Sequence, residues 1–148
     1  MKKAIVFLAN GFEEMEATGT VDILRRGGID TKTVSITDDR KVIGAHNMEY
    51  TADATFTEID LSDADALILP GGMPGASNLN NSEPVKEALL QQYREGRIVA
   101  AICSSDGIRR SRFVKRSQSH LLSRVRTEID WCHRNRRGCR GRWKCSNR

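Results

Sequence analysis

Along the first hundred residues the apolar positions follow two alternating rhythms. Ala4 to Ala9 is an unbroken apolar run of strand length, the pattern of a strand buried on both faces. Asn10-Gly11 then marks a turn. From Glu13 the spacing becomes helical, with Ala17, Val21 and Leu24 on one face. Glu13, Glu14 and Glu16 set negative charge at the positive end of that helix, and Arg25-Arg26-Gly27-Gly28 supplies a basic last turn and a glycine stop. Thr31 to Ile36 alternates as a strand, Asp38-Asp39 turns, and Val42 to Phe56 reads as one or two short strands in an excursion with His46 in its loop. Ala66 to Leu69 is a further buried strand, bounded by Asp63 and Asp65 before it and Pro70-Gly71-Gly72 after it. Ser82-Glu83-Pro84 opens a helix with a cap and an early proline. Val85, Ala88, Leu89 and Tyr93 form its apolar face, and Gly96 ends it. The run from Ile98 to Ile102 predicts another buried strand, leading directly into Cys103. The basic start, Lys2-Lys3, is read as the edge of a first core strand rather than as a leader, because the apolar run is short and three glutamates follow at once.

Strands alternating with helices predict an α/β fold with a parallel sheet covered on both faces. In such sheets ligands bind outside the carboxyl ends of the strands. Three chemical features fall there: the Gly11–Glu16 segment, the Pro70-Gly71-Gly72 loop, and Cys103 followed by Ser104 and Ser105. A cysteine at the end of a buried strand, just before a helix, sits at a sharp turn, and the helix N-terminus beyond it favours a thiolate. An acidic group, a glycine loop with free backbone N–H groups and a thiol together are the parts of a cysteine nucleophile with a carboxyl partner and an oxyanion site. Taken alone, Cys103 reads more readily as an inert buried thiol, and Glu16 as a helix-start carboxylate; the company of Glu16 and Gly71-Gly72 reverses the reading of Cys103.

Gly11-Phe-Glu-Glu-Met-Glu16, Leu69-Pro-Gly-Gly72 and Ala100-Ala-Ile-Cys103, in this order and spacing, resemble the ThiJ/PfpI family. That family includes the parkinsonism-associated deglycase and belongs to the class I glutamine amidotransferase-like group. The resemblance covers residues 1–105 and extends to Val21-Asp22-Ile-Leu-Arg-Arg-Gly-Gly28 and Gly75-Ala76. It implies a flavodoxin-like sandwich that dimerises. It makes Cys103 the nucleophilic, oxidation-sensitive cysteine and Glu16 the carboxyl that hydrogen-bonds its sulfur. Gly72 and Ser104 become the N–H donors of an anion or oxyanion site. Gly71, Glu13 and His46 are further pocket candidates. The implied substrates are small reactive carbonyls, 2-oxoaldehydes or their protein adducts, handled without a cofactor. A redox-sensing or chaperone-like role, with Cys103 oxidised and no turnover, stays open beside glyoxalase or deglycase chemistry.

Charge divides the chain where the resemblance stops. Residues 1–105 carry a net charge of −6, whereas residues 106–148 carry +11. The second stretch holds Cys132, Cys139, Cys145 and both tryptophans, and little that could be buried beyond a short amphipathic run of Leu121, Leu122, Val125 and Ile129. A coding register shifted by one base accounts for this composition. Codons for Val, Ala, Asp, Glu and Gly begin with G, and out of register such codons yield Arg, Gly, Cys, Trp and Ser. Re-read one base later with permitted codon choices, Arg112 to Arg126 can become GLLKGxKVTCYPGFE and Thr127 to Asn147 can become RKLTGATVTEEAVVVDGNVVT, strings that resemble the family's continuation. Trp131-Cys132 and Trp143-Lys144 force glycines, both at turn positions. The chain is therefore read as the N-terminal part of a ThiJ/PfpI domain over 1–105, with the sheet incomplete after Cys103, and a frame-shifted, poorly ordered basic tail over 106–148. Impaired activity is expected.

The same reading removes other functions. Cys132-His133, Cys139 and Cys145 lack the paired C-x₂-C spacing of closed zinc sites, so no metal site is assigned. His120 and His133 stand outside the family's sequence context. The arginines predict nonspecific adhesion to polyanions rather than a selected nucleic-acid function. No run of about 18 apolar residues predicts a membrane span. The expected location is cytoplasmic.

Overall fold

The first apolar run becomes β1 (Lys3–Leu8), the central strand of a five-stranded parallel sheet. The structure is a computed structural model that describes residues 1–102. After β1 come α1 (Glu14–Arg26), β2 (Asp30–Ser35), β3 (Lys41–Ile43), β4 (Glu49–Thr51) and β5 (Ala54–Thr55). They are followed by β6 (Ala66–Leu69), α2 (Gly75–Asn81), α3 (Glu83–Arg94) and β7 (Ile98–Ala101). The sheet order is β5-β2-β1-β6-β7, and every pairing in it is parallel. β3 and β4 form a separate antiparallel hairpin, so the predicted excursion resolves into a hairpin plus one short strand that joins the main sheet.

Successive side chains of β1 point to opposite faces of the sheet. Ala4, Val6 and Leu8 form one core with Phe12, Ala17, Val42, Ala52 and Ile68, against which Val21 and Leu24 of α1 pack. The alternate residues Ile5 and Phe7 are buried too, with Phe7 stacked on Phe56 at 5.9 Å between ring centroids. α1 packs on β1 and β2, whereas α3 packs on β6 and β7.

The chain leaves β1 toward β2 and β5, then returns to β6 on β1's other side. The strand order thus reverses between β1 and β6. In open parallel sheets that switch point opens a crevice outside the carboxyl ends of the two strands. The segments leaving those ends are Gly11–Glu16 and Pro70–Gly72.

Two expectations need correction, and one element was not expected. The run Ile98–Ile102 predicts a buried strand, but β7 is an edge strand among the described residues, with Ile98 62% and Ile102 37% exposed. Its one described neighbour is β6, so one of its ladder edges has no described partner. Ser82 does precede α3, but its side chain makes no capping hydrogen bond; it also terminates α2, with its N–H donating to Leu79 O. The helix α2 is not apparent in the sequence at all. It has seven residues, and only Ala76 and Leu79 give it an apolar signal. Cys103 and Ser104, and every reading of residues 106–148, lie outside the described residues.

Candidate functional site at the β1–β6 switch point

Glu13 stands at the N-cap of α1 with extended backbone, and its Oε2 accepts the Glu16 N–H at 2.6 Å. A side-chain acceptor there satisfies one of the N–H groups that a helix start leaves unpaired. The Glu13 N–H in turn donates to Gly71 O at 2.9 Å. Glu16, one turn in, reaches the glycine loop, and its Oε2 accepts the Gly71 N–H at 2.8 Å. The two segments at the switch point are therefore joined through Glu13, Glu16 and Gly71.

This alters the expected role of the loop. The sequence suggests free N–H groups at Gly71 and Gly72, but the Gly71 donor is committed to Glu16. Among the described residues the Gly72 N–H has no acceptor, which leaves it available to an anion. Gly72 has φ +94, and a Cβ there would stand 2.4 Å from Glu13 N, so the close approach of the two loops requires glycine. The Gly75 N–H to Gly11 O bond, at 3.0 Å, ties the loops again.

Glu14 lies on another side of the same turn and is only 4% exposed. Its Oε1 accepts the His46 main-chain N–H at 2.6 Å, and its Oε2 lies 2.8 Å from His46 Nδ1. A carboxylate only accepts, so Nδ1 carries the proton in this pair. The hydrogen bond from the His46 side chain holds the Glu14 carboxyl below its ordinary value, and the same bond raises His46 above the ordinary imidazole value. His46 is thus exposed, as its loop position suggests, yet paired with a buried carboxylate 32 positions away. Its loop is stitched to the turn after β1 by Gly11 N–H to Ile43 O at 2.7 Å, Ala45 N–H to Phe12 O at 2.8 Å, and Ile43 N–H to Asn10 Oδ1 at 2.9 Å.

Glu13, Glu14 and His46 each bring a metal-ligand atom within 4.8 Å of the others. Both Glu14 oxygens are already engaged by His46, so the cluster is satisfied as it stands. A cleft of about 350 Å³ lies beside α1, lined by Phe12, Val21, Arg25, Tyr50 and Asp53 among others; it includes none of the predicted site residues. Of those residues, Glu13, Glu16, Gly71 and Gly72 converge at the switch point, and His46 joins through Glu14. Sequence reasoning missed the buried Glu14 contact and the Asn10 side-chain bond, neither of which leaves a periodic signal.

The model of the DJ-1/PfpI family matches residues 2–115. The chain belongs to the DJ-1/PfpI family. Protein DJ-1 homolog B of Arabidopsis thaliana is 36% identical over 107 residues, which are 72% of this chain and 24% of that protein. The Parkinson disease protein 7 homolog of Danio rerio is 36% identical over 104 residues, 70% of this chain and 55% of that protein. Among solved structures, a cysteine-to-alanine mutant of a DJ-1 superfamily protein from Salmonella typhimurium has a TM-score of 0.66 and 39% identity, covering 68% of this chain and 55% of that one. Oxidised DJ-1 from Toxoplasma gondii has a TM-score of 0.67 and 31% identity, covering 70% and 56%. The chain thus spans about a quarter to just over half of the length of these relatives. Its flavodoxin-like α/β sandwich with a central parallel sheet is theirs. No described helix is long and apolar enough to cross a membrane.

Proposed function

We propose that this chain is a DJ-1/PfpI-type protein whose Cys103 is a nucleophile toward 2-oxoaldehydes or their protein adducts, with impaired turnover. The observation that carries the proposal is the Glu16 carboxyl, held on the Gly71 N–H at the β1–β6 switch point. In the proposed step the Cys103 thiolate attacks the aldehyde carbon and a carbon–sulfur bond forms. The carbonyl electron pair moves to oxygen, which takes a proton from Glu16 to give a hemithioacetal. The N–H groups of Gly72 and Ser104 would stabilise the developing oxyanion. No cofactor enters this chemistry.

The impairment follows from the proposed register shift after Cys103. The change in net charge from −6 over residues 1–105 to +11 over residues 106–148 supports it. Methylglyoxal consumption tests both parts: measurable turnover that Cys103→Ala abolishes and that rises when the coding frame is restored after Cys103. Equal turnover in Cys103→Ala and the parent would overturn the nucleophile. Coding DNA with no homologous alternative frame downstream would overturn the shift.

The oxidised state in the name of the Toxoplasma gondii relative favours a second reading, in which Cys103 serves as a redox sensor. Peroxide treatment with mass analysis at Cys103, in a chain without turnover, would select it. We further propose a cytoplasmic homodimer with nonspecific polyanion adhesion through residues 106–148. Exposed Met15, Ile43 and Met48 on α1 and the hairpin support the dimer, and the net +11 supports the adhesion.

A further inference from the structure

Glu13, Glu16 and Gly71 close a ring of three hydrogen bonds. The Glu16 N–H donates to the Glu13 side chain, the Glu13 N–H donates to Gly71 O, and the Gly71 N–H donates to the Glu16 side chain. Each member gives one main-chain N–H and accepts one, so displacing any of them opens the ring. Two consequences follow for Glu16. Its Oε2 is spent as an acceptor, while Oε1 has no partner among the described residues. Its aim also depends on Glu13 twice over. The Glu13 side chain fixes the turn from which Glu16 projects, and the Glu13 N–H fixes the loop that Glu16 reaches.

We propose that Glu13 is a positioning residue for Glu16, holding its carboxyl against the Gly71 N–H so that Oε1 is the oxygen that carries and delivers the proton. This rests on the reading of Glu16 as the proton partner of Cys103. Glu13 acts as a hydrogen-bond acceptor, and its charge is secondary. Among the described residues, Glu14 and His46 each bring a ligand atom within 4.8 Å of a Glu13 oxygen, and they already pair with each other. A helix cap with no further role would lower stability on removal and leave the titration of Cys103 where it was.

The test is the pH dependence of alkylation at Cys103 in the full chain, followed by peptide mass analysis so that the other three cysteines do not contribute. Glu16→Ala is expected to move the midpoint by about one pH unit, the scale of losing one close hydrogen-bonded or charged neighbour. Glu13→Ala should move it the same way by at least about half as much, and Glu13→Gln, whose side-chain carbonyl still accepts the Glu16 N–H, should restore the parent midpoint. A shift in Glu16→Ala with none in Glu13→Ala overturns the positioning role and leaves the proton partner standing. No shift in Glu16→Ala overturns the proton partner, and the positioning role with it. A shift in Glu13→Gln equal to that of Glu13→Ala makes charge the cause and overturns the ring. Should Glu13→Ala lose its cooperative unfolding, Glu13→Gln decides alone, and any departure from the parent midpoint refutes the proposal.

Discussion

Replacing Gly75 with alanine adds one carbon where there is no room for it. A Cβ at Gly75 would lie 2.5 Å from Phe12 N, 2.6 Å from Gly11 C and 2.7 Å from Gly11 O, all backbone atoms in the turn that follows β1. None is the end of a flexible side chain, so the whole turn must shift. Overpacking of this kind costs about 1–3 kcal/mol. Alanine returns part of that through helix propensity, at most about 1 kcal/mol in a helix interior and less at the first position of α2. The net expectation is roughly 1–2 kcal/mol of destabilisation, or about 5–15 °C in a domain of this size. Gly19→Ala supplies the control: Gly19 lies inside α1, and a Cβ there meets nothing within 4 Å. It should stabilise by about 0.5–1 kcal/mol through propensity alone. Urea unfolding followed by helical circular dichroism reads both, with unchanged m-values showing that stability rather than compactness has moved. A Gly75→Ala protein as stable as the parent would show that the two loops do not meet as closely as described, and would remove the physical basis for the Glu13–Gly71 contact. Gly19→Ala below the parent would mean that the exposed face of α1 is covered.

Two further outcomes follow from the same geometry. The raised His46 value makes its stabilisation fully present below the ordinary imidazole value of 6.5 and lost as pH rises through the folded-state value; the lowered Glu14 value makes its stabilisation present above the ordinary carboxylate value of 4.5 and lost as pH falls through its folded-state value. The stability gap between the parent and His46→Gln should therefore be widest between about pH 4.5 and 6.5 and close as pH rises through the folded-state His46 value. A gap that widens with alkali refutes the pairing. Leu79→Ala, at a position 1% exposed on the short helix α2, should cost about 2–5 kcal/mol, whereas Ile23→Ala, at a position 69% exposed on α1, should stay within about 0.5 kcal/mol; equal unfolding midpoints for the two variants would deny that α2 is docked.

What the sequence revealed and concealed follows from where each signal resides. β1, β6 and α1 were legible because burial on one or two faces imposes a period on the chain, and that period identifies an element without knowledge of its neighbours. α2 was not, because Gly-Ala-Ser-Asn-Leu-Asn-Asn has almost no helical preference of its own. It is held by tertiary bonds such as the Gly75 N–H to Gly11 O and the Asn78 side chain to Asn10 O. Strands of two or three residues, as in β3 to β5, are too short to alternate visibly. The apolar run of β7 gave the right strand, while Ile98 at 62% exposure is less covered by the described residues than a run of that composition suggests. At the site, the residue types were legible and their pairings were not. Two glycines after a strand suggest donors, but which N–H stays free depends on where a side chain 55 positions earlier ends.

The first turn of α1 shows why three adjacent glutamates are not interchangeable. Acidic residues at a helix start are adequately explained by the dipole, and that explanation predicts the same modest effect for each. A helix advances about 100° per residue, so neighbouring positions face different parts of the protein. Glu13, at the cap, turns its oxygen back onto the Glu16 N–H. Glu14 enters the side where Gly44 approaches so closely that a Cβ there would meet its Oε1 at 2.3 Å, and it fixes the hairpin loop through His46. Glu16, two residues further and about 200° round, faces the glycine loop. One turn therefore caps its own helix and fastens two separate segments, the hairpin loop and the glycine loop, with a different carboxylate for each task. The dipole explains why acids are tolerated there; the rotation explains why Glu16, and neither of its two neighbours, is the carboxylate that meets the glycine loop.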